Sequence, residues 1–187
     1  MKSLAILFST FMTSNLYANW DCNMYYYNVM ESSINKYIVQ YENDDEIISA
    51  PTLEEAQRKT LDFALDAIEL HYEFQGETNK GADIDFAIKC SNTPDSEFNA
   101  SYFDGPVDAR SLSTAQRCFA GNIYAYNDNT GDYLTQYSPS VRLDLEEGNF
   151  REQYHSVLSK IQDAVKEEYK GQMTDVIIDL SCSNIKF

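Results

Sequence analysis

Along the chain, short runs rich in Tyr, Ile and Val alternate with two longer stretches in which apolar residues recur every three or four positions. The short runs predict strands, because aromatic and β-branched side chains suit a pleated, half-buried surface. The long stretches predict amphipathic helices. The first strand opens with Asn23-Met24-Tyr25-Tyr26-Tyr27-Asn28, and Tyr37-Ile38-Val39-Gln40-Tyr41 supplies a second. A helix then starts at a capping box, with Thr52 as N-cap and Glu55 three residues on. Leu61, Leu65, Ile68 and Tyr72 form its apolar stripe, and Gly76 stops it. Asp83 to Asn92 reads as a closing strand that ends in Cys-Ser-Asn.

The same pattern returns. Asn122-Ile123-Tyr124-Ala125-Tyr126-Asn127 resembles the first opening at an offset of 99 residues. A second strand-like run starts at Tyr133 and continues toward Val141-Arg142-Leu143. Asn149 and Glu152 take the cap positions of a helix with Phe150, Tyr154, Val157, Ile161, Val165 and Tyr169 as its stripe, stopped by Gly171. Asp175 to Asn184 again ends in Cys-Ser-Asn, at an offset of 92. Agreement in element order, caps and strand ends points to a duplication. The expected fold is α+β: duplicated strand-strand-helix-strand units, a mostly antiparallel sheet, helices packed on one face, and two disulfides. The expected division is 1–18 as a signal peptide, 19–92 as the first copy, 93–117 as a linker and 118–187 as the second copy, in one two-lobed unit.

The leader follows from the first residues. Met1-Lys2 is a short basic start, Leu4 to Met12 is an apolar run, and Leu16-Tyr17-Ala18 offers small-residue cleavage after Ala18. The apolar run is shorter than the roughly 20 residues needed to span a bilayer. A periplasmic or secreted location, without membrane insertion, is therefore expected. In such a compartment an even cysteine count reads as disulfides. If the last strand of each copy lies antiparallel beside the first, Cys22 meets Cys90 and Cys118 meets Cys182. No C-x-x-C pair suggests zinc, and no metal or cofactor is expected.

Charge narrows the partners. Asp and Glu number 30 against 14 Lys and Arg, a formal charge of −16. Nucleic acid is excluded as a partner on this balance, since phosphate backbones need clustered bases. Asp62, Asp66, Glu69 and Glu73 share one face of the first helix with no Lys or Arg among them. Such a face repels itself slightly, and suits docking to a basic partner. The linker carries Phe98, Tyr102, Phe103 and Asp104, an aromatic-acidic mixture suited to filling a cleft.

Catalytic signals are sparse. His71 and His155 read as ordinary helix residues, no G-x-S-x-G elbow occurs, and the four cysteines are committed to bridges. Asn127 to Asp132 lacks the order and closing Glu of a calcium-binding EF-hand loop and reads as a hairpin turn. No catalytic residue is assigned, and an enzyme is not expected. The expected function is that of an exported acidic binding protein. It would neutralise a basic partner by occluding its active site, as an immunity protein or an inhibitor of a toxin or cell-envelope hydrolase does. The alternative is a small-molecule or glycan-binding module that uses its Tyr-rich strands, with Tyr25, Tyr26, Tyr27, Tyr124 and Tyr126 as stacking faces.

Overall fold

The computed structural model describes residues 19–31, 36–42, 46–75, 82–93, 117–127, 129–137, 142–144, 150–168 and 173–185. The first half runs β1 (Trp20–Glu31), β2 (Lys36–Glu42), β3 (Ile48–Ala50), α1 (Leu53–Gln75) and β4 (Ala82–Ser91). The second half repeats that order as β5 (Arg117–Asn127), β6 (Asp132–Tyr137), β7 (Arg142–Asp144), α2 (Phe150–Glu168) and β8 (Asp175–Ile185). The main path through the sheet is β2-β1-β4-β8-β5-β6, with β3 on β1 and β7 on β5. Every pairing among these strands is antiparallel. The α+β class and the antiparallel sheet are therefore as the sequence predicts.

The element count differs from the strand-strand-helix-strand expectation. Each half carries an additional three-residue strand, β3 or β7, between the hairpin and the helix. Three residues are too few to show a period of two, so nothing in the pattern marks β3, and β7 reads only as the end of the run that starts at Tyr133. In the second half, the run from Tyr133 toward Leu143 is two strands rather than one. The turn before it is as expected. Asn127 pairs with Asp132 across the β5–β6 hairpin, and Gly131 takes a left-handed φ of 68° there. Asn129 N–H donates to the Asn127 side chain at 3.0 Å, fixing the turn locally.

Both predicted disulfides are present, Cys22–Cys90 and Cys118–Cys182. Each joins residues directly opposite on neighbouring antiparallel strands. They indicate an oxidising compartment, extracellular or periplasmic. Among the described residues no helix is long and apolar enough to cross a membrane. The leader at 1–18 lies outside those residues.

Helix α1 starts where the capping box places it, with Glu55 N–H donating to Thr52 Oγ1 at 3.2 Å. Its Leu61, Ala64, Leu65 and Ile68 meet Tyr154, Val157, Leu158 and Ile161 of α2 in one buried cluster. Alternate residues of the central strands complete it: Ile84, Phe86 and Ile88 from β4, and Val176, Ile178 and Leu180 from β8. The β4–β8 pairing carries this core across the boundary between the halves. The opposite sheet face is of another kind. Asp85, Asp179, Ser181 and Ser183 are buried there, and Tyr124 packs on Ile177 with Tyr126 beside them.

Candidate functional site

The two helices lie antiparallel, and the seam between them is polar. Helix α2 places Arg151, His155, Gln162 and Lys166 at i, i+4, i+11 and i+15, a single helical face. Helix α1 answers with Glu54, Gln57, Asp62, Asp66 and Glu69. Lys166 Nζ lies 2.8 Å from Glu54 Oε1, and Gln162 Nε2 donates to Gln57 Oε1 at 3.0 Å. His155 Nε2 lies 2.6 Å from Asp62 Oδ1. At the far end Arg151 donates to Asp62 at 3.4 Å, to Asp66, and to Glu69 at 3.0 Å.

Three of the four acidic residues singled out on α1 are thus brought together, around an arginine of the other half. Three carboxylates face one guanidinium, and the cluster keeps an excess of negative charge. Asp66 stays 69% exposed, whereas Arg151 is 26% exposed. Burial works against the Arg151 charge, but the hydrogen bonds it donates to Asp66 and Glu69 prevail and raise its pKa. Pairs this open to solvent contribute little stability each, roughly 0–1 kcal/mol. Their effect is to set how α1 lies against α2. Glu73 belongs to α1, but its side chain, like residues Phe98, Tyr102, Phe103 and Asp104, lies outside the described residues.

A second feature of α1 was not read from the sequence. Phe63 is 37% exposed and Leu70 is 54% exposed, with Asp66 and Ala67 also exposed between them. Their spacing of i, i+3, i+4 and i+7 puts them on one face. The available signal was that Phe63 and Leu70 fall outside the stripe of Leu61, Leu65 and Ile68. The tyrosines of the alternative reading are placed differently. Tyr124 is buried at 1% exposure, so its ring has no open stacking face, and Tyr25 and Tyr126 are half-buried. Among the described residues no group of three or more His, Cys, Asp or Glu is arranged to hold a metal ion.

The Glu54–Lys166 rung makes stability depend on pH. Burial raises the Glu54 pKa, but the hydrogen bond and charge of Lys166 outweigh it and hold the carboxyl below its ordinary 4.5. A carboxylate with a depressed folded pKa stabilises fully above the unfolded value and loses that contribution as pH falls through the folded one. The hydrogen bond that Lys166 donates to Glu54 raises the Lys166 pKa above 10.5, so the lysine stays charged throughout this range. Glu54→Gln is therefore expected to lose less stability than the wild type between neutral pH and pH ~3, read as the shift in urea midpoint. Identical shifts in the two proteins would show that the rung does not form.

The chain matches no family model, no curated protein and no solved structure.

Proposed function

We propose that this chain is an exported acidic binding protein that neutralises a basic partner protein by covering its active site. An immunity protein or an inhibitor of a toxin or cell-envelope hydrolase has these needs. The observation that carries the reading is the outer face of α1, where exposed Phe63 and Leu70 flank the exposed carboxylate of Asp66. Apolar anchors set among like charges suit a partner that offers an apolar hollow rimmed by Lys and Arg. The carboxylates around Arg151 extend the negative field, which speeds encounter with a positive surface. The reading includes the signal peptide cleaved after Ala18. It includes Phe98, Tyr102, Phe103 and Asp104 of the linker as a second contact. It also takes the two halves, with their common element order and equivalent disulfides, as products of duplication.

The test begins with the oxidised chain from Asn19 immobilised and challenged with envelope and secreted proteins, eluted by salt. A basic protein recovered this way is then purified and titrated against the wild type and two variants. Replacing Phe63 and Leu70 together by Ser should weaken binding at least about tenfold, the equivalent of 1.4 kcal/mol. Asp66→Lys should lower the association rate, with the difference shrinking as salt rises. All three positions are exposed, and because Asp66→Lys also removes a partner of Arg151, the urea midpoint of each variant is measured beside its affinity. Unchanged affinity in both variants would remove this face from the interface.

A further inference from the structure

Along the α1–α2 seam runs a groove of about 450 Å³, lined among others by Thr52, Glu55, Arg58, Ser159 and Gln162. At Gln162 it adjoins a smaller recess of about 20 Å³ that reaches down to the sheet. The recess walls are apolar where Leu53, Val165, Met173, Val176 and Ile178 line them, and the amides of Gln57 and Gln162 and the Glu54–Lys166 pair complete them. Gln57 is completely buried. Its Oε1 accepts the bond from Gln162, and its Nε2 has no hydrogen-bond partner among the described residues. A buried amide donor without an acceptor is unfavourable and rare in native proteins. The recess has room for a water or a small terminal group, so an acceptor can enter.

The chemistry of the walls selects the group. Gln162 and Lys166 already donate to Gln57 and Glu54, so the donor left open is Gln57 Nε2, and beside the aliphatic side chains it matches a carbonyl oxygen attached to a methyl group. The outer groove has the size of a ligand pocket, and it presents two hydroxyls, a guanidinium, an imidazole and one amide. Its carboxylates are compensated locally, Glu54 by Lys166 and Glu55 by Lys59 at 2.8 Å in both cases, so a cation is not favoured, and Arg58 is placed to donate to ligand oxygens. A peptide would offer the same carbonyl. Its repeated N–H groups would then need backbone acceptors, and helices α1 and α2 have used theirs internally. We propose that the seam binds an N-acetylated amino sugar. The acetamido carbonyl accepts from Gln57 Nε2, the methyl group rests on Leu53, Val165 and Val176, and ring hydroxyls meet Arg58, Ser159 and Thr52. This site is separate from the Phe63–Leu70 face and stands whether or not that face docks a protein.

The test is calorimetric titration of the oxidised, folded chain with N-acetylglucosamine and its N-acetylated disaccharide, with glucosamine and glucose as comparisons. Saturable binding of the acetylated sugars is expected, at least about tenfold tighter than of the others. Gln57→Leu should weaken the acetylated sugars about tenfold while the urea midpoint holds or rises, because the substitution removes the orphaned donor. Arg58→Ala, at an exposed position, should weaken binding without a change in fold. The proposal fails if the wild type shows no saturation up to about 10 mM sugar, a ligand range in which weak sites saturate. It also fails if acetylated and free sugars bind alike, or if Gln57→Leu binds as the wild type does, which would leave the recess to water alone.

Discussion

Replacing Cys22 and Cys90 together by alanine is expected to lower the unfolding free energy by about 4 kcal/mol. The two residues are 68 positions apart, so the bridge removes a long loop's worth of freedom from the unfolded chain. In the folded state they face one another across β1 and β4, at a Cα separation of 4.1 Å that suits directly opposed residues. Both are buried, so the native site loses some packing as well. Domains of ordinary stability hold about 5–15 kcal/mol in all, so one bridge is a large share. The Cys118–Cys182 bridge spans 64 residues and is expected to contribute a similar amount. Urea unfolding of each double variant, and of the reduced wild type, measures these losses. A loss below about 1 kcal/mol would show that the unfolded chain is already constrained near the bridge.

These bridges were legible because they need only strand order. Once the last strand of each half is placed antiparallel beside the first, the cysteines meet. The helices were legible for a related reason: Thr52 and Glu55 mark a start, and Leu61, Leu65 and Ile68 mark a face. What neighbours that face was not legible. Asp62, Asp66 and Glu69 read as an unopposed acidic row because their counter-charge, Arg151, is 82 or more residues away in the chain. Helical spacing fixes which residues share a side, but tertiary packing decides what lies opposite. The same limit affected Asp85 and Asp179, which count toward the acidic balance yet are buried on the sheet. The three consecutive tyrosines were obscured differently. The β1–β4 register slips between Met24 and Tyr26, so simple alternation cannot assign their faces. The groove beside Gln57 had no sequence signal, since it arises from the distance between two helices rather than from any motif.

Phe86→Ala is expected to cost about 3–5 kcal/mol and to destabilise both halves at once. Phe86 is fully buried on β4, in the first half of the chain. Its ring meets that of Tyr154, on α2 in the second half, edge to face at 5.5 Å. Its strand neighbour Leu180 also comes from the second half. Truncation therefore opens a cavity where the two units share one core, and neither unit can fill it alone. Phe86→Leu keeps more of the volume and loses the ring contact, for a smaller cost of about 1–2 kcal/mol. The single tryptophan makes the coupling measurable. Trp20 packs against the core from β1, so its fluorescence reports on the first half, while far-ultraviolet circular dichroism reports on both helices. With the β4–β8 pairing and the shared cluster intact, the two signals should fall together in urea, and in Phe86→Ala both should move to lower denaturant by the same amount. If Trp20 unfolds at a different midpoint from the helices, the halves are separate folding units. The Phe86 contact would then be an interface between them rather than the centre of a common core.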